Sequence, residues 1–212
     1  MLISLLYVLG AGGHAKVVVD ALAESGTDLS RIRIRDDALE RAGAWIEGLT
    51  VETPAIQTAL TGGLFHLAIG NAIVRERMFE KLTAINARAL TIVHPASTVS
   101  RHAKLGDGVF MAARSIIAPS ASLGRCVIVN HGAIIDHDCL VGDFSHIAPN
   151  ATLAGEVKIG SRVLIGAGAN ILPGIQIGDD VIVGAGSVVT RNISAGQVVV
   201  GIPAKQSEGK RT

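Results

Sequence analysis

Apolar positions along this 212-residue chain follow two different rhythms. In the first part they come as short runs and in helical spacing. Ser4 to Leu9 is an apolar run that stops at Gly10, the pattern of a strand buried on both faces. Gly10-Ala11-Gly12-Gly13-His14 follows as a turn, and Ala15 to Glu24 has helical spacing that closes near Gly26. Arg31 to Arg35 alternates Ile with Arg and ends at Asp36-Asp37, a second strand. Leu64 to Ile69 is a third, followed by Gly70-Asn71 and a helix from about Ala72 to Asn86. Strands alternating with helices predict a small parallel, Rossmann-like α/β domain over residues 1–90.

From residue 91 the rhythm changes. Every sixth residue from Val93 to Val189 is apolar, seventeen in succession. In a chain that is 49% apolar this arises by chance on the order of once in 10⁵, and the period fits neither a helix nor an open strand. A second period lies on top: Gly106, Gly124, Gly142, Gly160 and Gly178 recur once in every three hexads. Three hexads then make one coil, and each glycine is expected to turn the chain at a corner. The residues two before the apolar position are mostly small (Ser115, Ala121, Cys139 and Ala151 among them) and should fill the corners from inside. Residues 91–212 therefore predict a parallel β-helix, a solenoid of roughly five to six coils stacked about 4.8 Å apart.

Composition narrows the picture further. Aromatics are only 3% of the chain while glycine numbers 25 residues, so small and β-branched side chains must fill the core, which suits narrow β architecture. The formal net charge of +1 argues against general binding to nucleic acid. No apolar run is long enough for membrane insertion, and MLISLLYVL lacks the basic flank and cleavage site of a signal peptide. Cys126 and Cys139 read as small core residues rather than a disulfide, which fits a reducing cytoplasm.

Chemistry has to come from residues at outward positions, since a repeat alone specifies only a scaffold. His137 lies two past the inward Ile135, and its imidazole titrates near neutrality, which suits a general base. Asp138 follows it directly. His146 also points outward, half a coil away. His131, His137 and His146 could bind zinc only by converging across an interface; no two are a full coil apart, so no metal is expected. In the first domain the glycine-rich turn between a strand and a helix offers backbone N–H groups to a phosphate. Asp36-Asp37 ends the second strand, where such folds hold a ribose or base. Arg75 reads either as a diphosphate contact or as an exposed helix residue.

Several longer stretches carry a family resemblance. YVLGAGGHAKVV at 7–18, IGN at 69–71, IDHDCLVGDFSHIAPNATLAGEVKIG at 135–160 and the tail VGIPAK at 200–205 together resemble the hexapeptide-repeat sugar O-/N-acetyltransferases. That family includes bacillosamine-pathway and perosamine N-acetyltransferases and sialic acid O-acetyltransferase. The resemblance implies a left-handed coil, a homotrimer with active sites between subunits, and acetyl-CoA as co-substrate. It implies His137 as general base, with Asp138 holding its tautomer where the bacillosamine enzyme has a longer Glu. It places His146, Gly155, Ala167 and Ala185 along acetyl-CoA, with the Gly155 N–H facing the thioester oxygen. It places Gly12, Gly13, His14, Asp36, Asp37 and Gly70 at the nucleotide of a nucleotide-linked amino sugar, and Asn130 near the sugar. The expected activity is N-acetylation of a 4-amino-4,6-dideoxy sugar. O-acetylation of a sugar such as sialic acid, or a non-catalytic binding module, would use the same scaffold.

Overall fold

A computed structural model describes residues 5–207; Ser4, at the start of the expected first strand, and Glu208–Thr212, at the end of the expected second domain, lie outside it. The chain divides into two compact units, Met1–Pro95 and Ala96–Thr212.

The first unit holds β1 (Leu6–Leu9), α1 (Gly13–Glu24), β2 (Ile32–Arg35), β3 (Trp45–Ile46), β4 (Leu49–Glu52), β5 (Leu64–Leu67), α2 (Ala72–Ala84) and β6 (Arg88–Ala89). The sheet order is β3-β4-β2-β1-β5-β6, parallel except for the antiparallel β3–β4 pair. β1 is central, and all four of its residues are buried, as its unbroken apolar run requires. The β3–β4 hairpin is not visible in the hydrophobic pattern. Its turn is Glu47-Gly48, with φ of 47° and 83°. Two positive-φ residues match the twist of paired strands, but Glu at the first position hides the signal that Asn or Asp would give. α1 begins two residues earlier than expected, with Gly12 as its N-cap. Arg75 is neither exposed nor free for a ligand. It is fully buried on the face of α2 that also carries Met78, Phe79 and Leu82. Its guanidinium donates to the carbonyls of Ile69 (2.7 Å) and Gly70 (2.8 Å), clamping the turn before α2.

The second unit is a parallel β-helix. Two-residue strands repeat every six residues and stack in three sheets. Each strand pairs with the one three hexads further on: Ile117 with Ile135, Leu123 with Val141, Val129 with Ile147. The inward residues from Met111 to Val189 are buried, and Ser115, Ala121, Ala133, Cys139, Ser145, Ala151, Ala169 and Ser187 have no exposed surface. Val93, where the hexad count began, is 37% exposed and lies in the first unit; the inward register starts with the half-buried Val99.

The glycines that recur once per coil do a different job from the one expected. Gly106, Gly124, Gly142, Gly160 and Gly178 are not in the left-handed region. A Cβ on Gly142 would lie 2.5 Å from the Gly160 carbonyl carbon, and one on Gly106 2.6 Å from that of Gly124. These glycines allow neighbouring coils to approach. The chain is turned elsewhere, by a positive-φ residue recurring at the hexad spacing, from Gly108, Arg114 and Ser120 to Asp180 and Gly186. Most of these are not glycine, so each corner stores a little strain that the stacked coils hold in place.

Candidate active site

His137 stands at the corner between strands Ile134–Ile135 and Leu140–Val141. Two residues beyond the inward Ile135, its side chain projects outward and is 54% exposed. The Asp136 carboxylate accepts the His137 backbone N–H at 2.7 Å and closes the turn. Asp138 is the positive-φ residue of this corner, at 59°, a conformation that Asp tolerates better than most residues. From there its Oδ2 meets His137 Nδ1 at 2.9 Å, so the short Asp side chain reaches the ring. This contact fixes the tautomer with the proton on Nδ1, and Nε2 has no partner among the described residues. The Asp138 hydrogen bond holds the imidazole above its ordinary pKa of 6.5; desolvation opposes it, and the charges of Asp136, Asp138 and Glu156 reinforce it.

Gly155 stands one coil further along the same corner. A Cβ there would sit 2.6 Å from both Cε1 and Nε2 of His137, so only glycine leaves room for the ring. Its carbonyl accepts the Gly174 N–H at 2.9 Å, while its own N–H meets no backbone acceptor among the described residues. The corner thus offers an open imidazole nitrogen beside an open backbone donor.

The other candidates of this unit gather one corner earlier. Asn130 Nδ2 lies 3.2 Å from His146 Nε2, joining neighbouring coils. Ala167 and Ala185 are one coil apart in the corner column that contains His131, and their N–H groups also lack a backbone partner among the described residues. Within one chain these residues line a different corner from His137. No group of three or more His, Cys, Asp or Glu able to hold a metal occurs among the described residues.

In the first unit, Gly12 and Gly13 open α1, and no side chain occupies the cap. His14 is half-buried in the first turn, and Gly70 presents its carbonyl to Arg75. The two acidic residues after β2 differ. Asp36 engages both oxygens with backbone, Oδ2 with Ala11 N–H (2.7 Å) and Oδ1 with Ala38 N–H (2.9 Å). Asp37 is exposed and uses only Oδ1, toward Ala55 N–H at 2.9 Å. Both line a cavity of about 190 Å³ whose other walls are Gly10, Ala55, Ile69, Val74 and Met78.

Residues 5–82 match the PglD N-terminal domain family, and residues 156–191 match the bacterial transferase hexapeptide (six repeats) family. Over 159 residues the chain is 30% identical to GDP-perosamine N-acetyltransferase of Escherichia coli O157:H7, covering 72% of this chain and 71% of that one. The chain belongs to the hexapeptide-repeat sugar N-acetyltransferases. This acetyltransferase is 34% identical over 109 residues, half of either chain, to UDP-N-acetylbacillosamine N-acetyltransferase of Bacillus subtilis (strain 168). Among solved structures it resembles the acetyltransferase domain of PglB from Neisseria gonorrhoeae FA1090, with 34% identity, TM-score 0.91 and coverage of 97% of this chain and 100% of that one. It also resembles PerB from Caulobacter crescentus, solved with CoA and GDP-perosamine, with 33% identity, TM-score 0.86 and coverage of 97% and 98%.

Three residues of the acetyltransferase escape a reading of the sequence. Asp136 looks like no more than a turn residue, although its carboxylate shapes the His137 corner. Glu156 stands one coil beyond Asp138, so the coil period alone could have placed a second carboxylate there. Arg41 bonds to Ala11 from a distant part of the chain, and nothing local in the sequence announces it.

Proposed function

We propose that this enzyme transfers an acetyl group from acetyl-CoA to the 4-amino group of a nucleotide-linked 4-amino-4,6-dideoxy sugar, with His137 as general base. The observation that carries this reading is the His137–Asp138 pair over Gly155: one ring nitrogen held, the other open, with an open N–H beside it. The relatives named for GDP-perosamine and UDP-N-acetylbacillosamine, and the PerB complex with CoA and GDP-perosamine, support the substrate class.

The acceptor amine attacks the thioester carbonyl carbon directly. As the C–N bond forms, the amine proton passes to His137 Nε2 while Asp138 steadies the growing imidazolium charge. The carbonyl oxygen becomes an oxyanion that the Gly155 N–H stabilises. The C–S bond then breaks, the electron pair returns to carbon–oxygen, and CoA leaves as a thiolate that takes a proton from His137. Acetyl-CoA would run past His146, Gly155, Ala167 and Ala185. Gly12, Gly13, His14, Asp37 and Gly70 would hold the nucleotide, with Asn130 near the sugar; Asp36, expected in the same set, has both oxygens on backbone N–H groups and would act through the turn it holds. Because Asn130 and His146 sit one corner from His137 within a chain, a homotrimer with sites between subunits supplies the convergence the reaction needs. Cys126 and Cys139 are buried and form no disulfide with each other, which accords with a cytoplasmic enzyme.

Thiol release from acetyl-CoA, followed against a panel of UDP-, dTDP- and GDP-linked 4-amino sugars, tests this. Turnover of at least one amino sugar to an amide is expected. Acetylation of free sialic acid alone, with no amino sugar turned over, would overturn it in favour of O-acetylation.

A further inference from the structure

Resting on the nucleotide-sugar reading above, we propose that Arg41 binds the diphosphate of the sugar-linked nucleotide and that Asp36 is a positioning residue that holds Arg41 in place. Sequence position favours neither role: Asp36 ends β2 as a ribose or base ligand would, and Arg41 falls in a loop.

The geometry assigns them differently. Asp36 ties two backbone segments together with its two oxygens, the glycine-rich turn through Ala11 N–H and the segment after β2 through Ala38 N–H. That second segment forms the short 3₁₀ turn Leu39–Arg41. Its last residue, Arg41, reaches back and donates from Nη1 to the Ala11 carbonyl. Asp36 and Arg41 therefore hold the same residue, Ala11, from its two ends, one by N–H and the other by C=O. The guanidinium comes to rest over the turn, with Nη1 3.9 Å from where a Cβ on Gly12 would be. The next residue of the turn is open, since a Cβ on Gly13 would meet nothing within 4 Å.

Charge supports the same assignment. Arg33 and Arg35, on the neighbouring strand, are paired with Glu52. Arg41 is exposed and has no carboxylate partner among the described residues. A guanidinium has five N–H donors, of which one is used here, so the rest of the fork remains for an anion with several oxygens. A diphosphate fits that demand better than a single carboxylate. The exposed Asp37 Oδ2, at the cavity with Ile69, Val74 and Met78, is left to meet N–H groups of the base.

The test is calorimetric titration of the full-length chain with UDP, dTDP and GDP and with the corresponding monophosphates. The wild type should favour the diphosphate of one base over its monophosphate. Arg41→Gln should weaken the diphosphate about 10- to 100-fold and collapse that ratio, with Arg41→Lys recovering part of it. In turnover, the KM for the nucleotide sugar should rise while the KM for acetyl-CoA holds. Asp36→Asn should lower the ratio too, and the double variant should be no worse than Arg41→Gln alone, the non-additivity expected of residues acting as a unit. An unchanged ratio in Arg41→Gln overturns the diphosphate role, and additive losses overturn the positioning role of Asp36. If the wild type binds none of these nucleotides, the nucleotide-sugar reading itself fails.

Discussion

As the proposed base, His137 depends on the setting that its neighbours create. Asp138 raises its pKa and fixes its tautomer, so Asp138→Asn should have two opposed effects. Losing the hydrogen bond and the charge lowers the pKa, so the neutral base persists to lower pH and the acid limb of the pH–rate profile moves to lower pH. The plateau falls at the same time, about 10- to 100-fold, because the ring is no longer held with Nε2 outward. A profile that keeps its acid limb in place would show that Asp138 does not govern the base. Gly155→Ala tests the second neighbour. Its Cβ would collide with the ring at 2.6 Å, so the imidazole must shift, and a rate loss of about 100-fold is expected with little change in melting temperature. At this scale the sequence is only partly legible. His137 and Asp138 stand out by their outward place in the hexad. Gly155 enters only through the family resemblance, and Glu156 escapes notice although it stands one coil beyond Asp138. Arg41 and the difference between Asp36 and Asp37 depend on contacts between segments far apart in the chain, which no local pattern encodes.

Among elements, the β-helix is legible because its two periods are strict, yet the role of its glycines is not. A glycine can serve conformational freedom or close approach, and only the stacking distance tells them apart. The contrast is measurable. Gly142→Ala places a methyl 2.5 Å from the backbone of the next coil and should cost about 3 kcal/mol or more in urea unfolding. Gly168→Ala, at φ +67° with nothing within 4 Å, should cost only about 1–2 kcal/mol of backbone strain. Equal losses would contradict this division. In the first unit, the predicted strands and helices form, while the β3–β4 hairpin is hidden by its Glu47-Gly48 turn. β5 also buries a histidine. His66 is 1% exposed, its Nδ1 is 2.8 Å from the Leu90 carbonyl oxygen, and burial pushes its pKa down to about 4. The unfolded chain takes up this proton near pH 6.5 and the folded one only near 4. Stability is therefore full above pH 6.5 and declines by about 3 kcal/mol as pH falls to 4. Unfolding midpoints across that range should slope for the wild type and flatten for His66→Gln.

Taken as a whole molecule, the chain couples a Rossmann-like unit, the proposed nucleotide holder, to a solenoid whose corners carry the proposed base. The fold of both units is legible because the strand–helix alternation of the first and the six-residue period of the second are both written along the chain. The proposed site is not, since Asn130 and His146 line one corner of a chain and His137 another, and the homotrimer proposed above would have to bring them together. The chemical core of the account nevertheless lies in a single side chain. It is tested most directly by comparing kcat/KM of the wild type and His137→Asn with acetyl-CoA and the nucleotide-linked amino sugar that the wild type turns over. A loss of about 10²- to 10⁴-fold, with the variant still folded and still binding the nucleotide, is the result expected of a general base. Unchanged kcat/KM in the variant would contradict the account.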